Sequence, residues 1–113
     1  MIKDYSKNYN ELTKLMREMG TKIPETMKAF NALHKASTDA GALPTKFKEL
    51  IAVGIAIVVR CDGCIAFHVK HALNAGVSSE EIMETIGVAV TMGGGPAVVY
   101  GCEAMEALRQ FTA

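Results

Sequence analysis

Apolar residues recur three and four positions apart through most of the chain. Before residue 20 the stripe is Ile2, Tyr5, Tyr9, Leu12, Met16 and Met19. It marks one face of an amphipathic helix, and Gly20 reads as its end. Pro24 opens a second helix reaching about residue 39, with Met27, Phe30 and Leu33 on its apolar face. His34 borders that face and reads as a structural or partly exposed histidine, with a pocket-lining role as the alternative. Ala40-Gly41-Ala42 then leads into a segment, Phe47 to Val59, that is apolar almost all round. This predicts a central helix with Pro44 in its first turn, Lys48 and Glu49 near its start, and Arg60 at its close.

Asp62-Gly63 reads as a break before a further helix over 64–75, capped by Cys61 or Asp62 and ended by Gly76 at the C′ position. Ser78 and Glu81 have the spacing of a capping box, with Val77 and Ile82 placed to staple it. The helix they open carries Ile82, Ile86, Ala89 and Val90 on one face. Gly93-Gly94-Gly95 stops it. This triplet has neither the spacing nor the lysine of a phosphate-binding loop. Pro96 begins a last helix reaching about Phe111, with Val98, Cys102 and Met105 as its stripe and Leu108 and Phe111 extending it. Cys102 reads as a buried, inert thiol. Nothing alternates at period two. The pattern predicts an all-α fold of five or six helices in one domain spanning residues 1–113.

Composition narrows the classes of function. Twelve basic residues balance twelve acidic ones, which gives no electrostatic case for nucleic acid or an anionic membrane surface. The longest unbroken apolar run is Leu50 to Val59, about half of the roughly 20 residues that a membrane span needs. The polar start MIKDYSKNYN lacks a signal-peptide apolar core, so a cytoplasmic protein is expected. Three cysteines, an odd number, do not suggest a secreted disulfide scaffold.

The candidate chemistry lies in Cys61-Asp62-Gly63-Cys64-Ile65-Ala66-Phe67-His68, with Glu49 upstream. Cys64 falls in the first turn of its helix, where the helix dipole favours a thiolate. His68 follows four positions on, facing the same way, and suits exchange of the thiol proton. A close cysteine pair fits a redox couple or half of a zinc site. Cys61, Cys64, His68 and His71 resemble a zinc ligand set in type, but along one helix they spread over roughly 15 Å. A tetrahedral zinc holds its ligands at about 2.0–2.3 Å, so the redox reading is preferred and no metal or organic cofactor is expected.

Glu49, eleven residues, then CDGCIAFH at 61–68 resembles the alkylhydroperoxidase D and carboxymuconolactone decarboxylase family. The flanking GALPTKFKELIAVGIAI and HVKHALNAGVSSEEIMETI are similar to that family as well, over roughly residues 30–100. The resemblance implies a compact helical domain and a thiol site of Glu49, Cys61, Cys64 and His68. Cys64 would be the attacking thiol, Cys61 the resolving one, and Glu49 with His68 the proton relay. Where the peroxidase branch carries a histidine before its second cysteine, this chain has Gly63. The implied substrate is a small hydroperoxide or disulfide, with a dithiol or protein reductant as electron donor. The alternatives are a cofactor-free lactone decarboxylase using Glu49 and His68, and a non-enzymatic, redox-sensing assembly protein.

A straight helix over 44–60 puts Glu49 about 16 Å along the axis from Arg60. A simple hairpin then sets Glu49 below His68, away from Cys64, with room for a bridging water. A water-excluding wall for the thiols predicts a closed homo-oligomer, and the resemblance implies a trimer or hexamer.

Overall fold

The structure is a computed structural model and describes residues 3–113, which form six α-helices and no strand among the described residues. In chain order they are α1 (Tyr5–Lys22), α2 (Pro24–Thr38), α3 (Thr45–Val58), α4 (Asp62–Asn74), α5 (Ser79–Gly93) and α6 (Gly95–Thr112). The all-α expectation is met. Ile2, the first member of the predicted α1 stripe, lies outside the described residues.

Helix α1 runs past Gly20 to Lys22. A helical glycine costs only about 1 kcal/mol relative to alanine, so it does not by itself stop a helix. Pro24 does, because it forces the preceding residue out of the helical region. Ile23 accordingly sits at φ −131°, ψ 66°. Pro44 lies just before α3 as its N-cap rather than inside the first turn.

Helix α3 is the hub, packed most extensively against α4 and α5, and also against α6 and α2. Its end is a Schellman motif. Arg60 N–H donates to the Ile57 carbonyl (3.2 Å) and Cys61 N–H to the Ala56 carbonyl (3.1 Å). Arg60 occupies C′ with φ 61°, a left-handed conformation that favours glycine. The same motif closes α4, with Gly76 N–H on Leu73, Val77 N–H on Ala72, and Gly76 at φ 90° as predicted. The capping box of Ser78 and Glu81 is complete, and Val77 and Ile82 are both in the core.

Two predicted faces are turned outward. On α2, Phe30 is 50% and Leu33 63% exposed, and α2 rests chiefly on α1. On α6 the buried positions include Ala97, Gly101, Ala104, Ala107 and Leu108, while Val98, Met105 and Cys102 are exposed. The expectation of a buried Cys102 is therefore corrected. Both stripes have helical spacing, and close approach decided between them. A Cβ at Gly101 would lie 2.9 Å from Ile86 Cγ2, so the small-residue face lets α6 settle against α5.

One buried polar contact had no sequence signal. Tyr5 is fully buried and its hydroxyl donates to Oε1 of Glu103, itself only 2% exposed. Oε2 of Glu103 has no partner among the described residues. Burial first, then this hydrogen bond, pushes the Tyr5 phenol well above its ordinary value. The contact ties α1 to α6.

Candidate functional site

The Schellman turn after α3 makes Cys61 at once the last residue of that motif and the N-cap of α4. Its Sγ accepts the Cys64 N–H at 3.2 Å. Asp62 and Gly63, read from sequence as a break, instead form the first turn of α4. Cys64 is the third residue of the helix, one of the two positions whose orphan N–H an N-cap group receives. Cys61 and Cys64 form a disulfide with their Cα atoms 5.1 Å apart, inside the usual range for such a bond.

One turn further along α4, His68 meets α3. Its Nδ1–H donates to Oε2 of Glu49 at 2.9 Å. Contact is direct, with no need for a bridging water. Glu49 is buried, 3% exposed, and a carboxylate in such a place requires a hydrogen-bonding partner. The bond to Nδ1 directs the neutral tautomer of His68 to keep its acceptor lone pair on Nε2. The hairpin geometry expected from helix lengths holds: Glu49 faces His68, level with the body of α4.

Two more histidines complete the cluster. His34 reaches in from α2, its ring centroid 6.1 Å from that of His68 and 6.0 Å from that of His71. His71 lies across from His68, with centroids 5.9 Å apart. Burial pushes the His71 imidazole below its ordinary value. Glu49 pulls in the opposite direction, and His68 and His34 push it further down. Tyr9 packs edge-on to His71 and against Phe67, so α1 roofs this part of α4 with a packed aromatic. His34, read from sequence as structural or partly exposed, is partly exposed and faces the other two histidines. The histidines converge without the cysteines. The only sequence signal was the shared face of His68 and His71. Nothing local announces where α2 docks.

Gly63 is explained by what lies above it. A Cβ there would come within 3.1 Å of Leu12 Cδ1 on α1, so the end of that side chain would have to give by a few tenths of an ångström to admit a histidine. Beside it, Lys3 forms an ion pair with Asp62. A depression of about 230 Å³ lined by Asn8, Leu12, Leu15, Asp62 and Gly63, among others, opens between α1 and the first turn of α4, and neither cysteine lines it. The larger groove, about 480 Å³, lies elsewhere, between the outer faces of α3 and α5, and is almost wholly apolar.

Six helices around a half-buried cysteine pair and a carboxylate–imidazole contact define a small helical domain with a helix-borne CxxC site. The sequence profile of the carboxymuconolactone decarboxylase family matches residues 24–107. The chain belongs to the carboxymuconolactone decarboxylase/alkylhydroperoxidase D-like family. It is similar to a crystal structure of a carboxymuconolactone decarboxylase family protein from Legionella pneumophila, with TM-score 0.93 and 39% identity over 96% of this chain and 97% of that one. A second structure, from Thermotoga maritima, superposes with TM-score 0.80 and 30% identity over 90% of each chain. A part in an antioxidative response has been suggested for that protein. An uncharacterized protein from Cupriavidus necator is 35% identical over 93% of both chains. None of the described helices is long and apolar enough to cross a membrane.

Proposed function

We propose that the chain is a thiol–disulfide oxidoreductase that reduces small hydroperoxides or disulfides through Cys61 and Cys64. The observation that carries this reading is a cysteine pair at the N-terminus of α4 with a hydrogen-bonded Glu49–His68 pair one turn along the same helix. In the reduced form Cys64, as thiolate, attacks one peroxide oxygen. The O–O bond breaks, sulfur gives up two electrons to become a sulfenic acid, and the leaving alkoxide takes a proton relayed by His68. Cys61 then attacks Cys64 Sγ, water leaves, and the disulfide forms. An external dithiol reduces it by exchange and is itself oxidised. The role suggested for the Thermotoga relative is consistent with this chemistry. Turnover of several hydroperoxides with several dithiols, compared with Cys61→Ser and Cys64→Ser, tests it. Both variants should lose turnover. Full activity in Cys64→Ser contradicts the reading, and redox-dependent assembly without turnover would favour a sensor.

The family match speaks more directly for a second reading, a cofactor-free decarboxylase acting on a carboxylated lactone. Here Glu49 and His68 supply acid–base catalysis and the cysteines are dispensable. Lactone decarboxylation retained when both are serine would favour it.

We further propose that the chain works as a homo-oligomer, a trimer or hexamer, closed across the groove between α3 and α5. Val88 and Met92 are 66% and 77% exposed there, with Ile51 and Ile55 beside them, an apolar surface of the kind that marks an association site. Sedimentation of Val88→Asp against the parent chain tests this, with a monomeric parent as the contrary result.

A further inference from the structure

Thiol chemistry employs Glu49 and His68 and leaves two imidazoles at the same place without a task. One donor atom from each of His34, Glu49, His68 and His71 lies within 4.8 Å of the others. The four come from three helices, α2, α3 and α4. Imidazole nitrogens with one carboxylate are the donors that suit zinc and its first-row neighbours. Donors bound at 2.0–2.1 Å lie no more than about 4 Å apart, so side-chain rotations of the order of an ångström would close the set. Oε2 of Glu49 accepts from His68, and Oε1 remains as the carboxylate donor.

We infer that His34, Glu49, His68 and His71 form a binding site for one divalent transition-metal ion of the zinc class, separate from the cysteines. Three histidines and one buried carboxylate leave a net charge that a divalent ion offsets, and burial of Glu49 makes that charge costly to leave alone. The ion would tie α2 to the hub. All of α2 is at least partly exposed and it has few contacts with α3, so it has the most to gain. An ion held there also removes Glu49 and His68 from proton transfer, so the metal-bound state would be inactive in thiol chemistry.

The test uses the disulfide form in a Cys102→Ser background, where no thiol is free to ligate. Zn²⁺ is titrated calorimetrically and Co²⁺ by visible absorption. One ion per chain should bind, the melting temperature should rise with Zn²⁺ concentration, and the Co²⁺ spectrum should lack a sulfur charge-transfer band. His34→Gln and His71→Gln should each weaken binding at least tenfold with an unchanged far-ultraviolet spectrum. Absence of saturable binding, or unaltered affinity in His34→Gln, would overturn the proposal. His34 is partly exposed on a peripheral helix, so this variant decides even if His71→Gln fails to fold. No readout depends on peroxide turnover, so this proposal and the thiol reading fail separately.

Discussion

Oε2 of Glu49 and Nδ1 of His68 lie 2.9 Å apart on neighbouring helices, with the carboxylate buried and the imidazole one turn from Cys64. This pairing fixes the tautomer and the orientation of the His68 ring. His68→Ala should lower the rate of thiol oxidation by roughly 10²-fold, the lower end for loss of a positioned acid–base group. Glu49→Gln keeps the shape and a weaker hydrogen bond, and should cost roughly tenfold. Stopped-flow oxidation of the reduced protein checks both. Equal rates in all three proteins would remove the pair from the chemistry.

Tyr5 holds Glu103. Tyr5→Phe leaves the buried carboxylate without its donor and should destabilise the fold by about 1–3 kcal/mol. Tyr5→Phe combined with Glu103→Leu should recover part of the loss. The pH dependence follows from the raised phenol. Its contribution is fully present below the unfolded-state value of about 10 and is lost as pH rises towards the folded-state value. Urea unfolding between about pH 8 and 11 should therefore show stability falling more steeply in the parent than in Tyr5→Phe. Parallel slopes would contradict this account.

Local signals were legible in the sequence and long-range ones were not. Ser78, Glu81 and Gly76 act within a few residues of themselves, and each does in the structure what its spacing predicts. Glu49 and His68 lie on consecutive helices, so hairpin geometry alone brought them close. His34 had no such constraint, because α2 rests chiefly on α1 and the histidines it meets lie on α4, two helices further along the chain. The face of α6 was misread since Val98, Cys102 and Met105 repeat as regularly as Ala97, Gly101 and Ala104. Periodicity cannot rank a large apolar stripe below a small one when helix approach sets the outcome.

Gly63 sits under Leu12. Gly63→His should therefore destabilise the fold by about 1–3 kcal/mol through overpacking. Leu12→Ala in the same chain should recover much of that cost, although alone it destabilises. A double-mutant cycle by thermal or urea unfolding gives the coupling, and strictly additive effects would refute the contact.

Arg60 adopts φ 61° with an exposed side chain. Arg60→Gly should stabilise the protein by about 1 kcal/mol, the steric cost of a left-handed non-glycine residue. Chemical denaturation checks it. A loss of stability would mean that the guanidinium makes a contact that outweighs the backbone term.

The central claim is that Cys61 and Cys64 react as a pair with His68 as their proton partner. The most direct measurement is thiol counting after stoichiometric hydroperoxide, in a Cys102→Ser background so that only the thiols of Cys61 and Cys64 are read. Both should disappear together in the parent. Cys61→Ser should stop at a trappable sulfenic acid on Cys64, Cys64→Ser should remain reduced, and His68→Ala should react roughly 10²-fold more slowly. Thiols that survive peroxide in the parent, or a rate indifferent to His68, would contradict it.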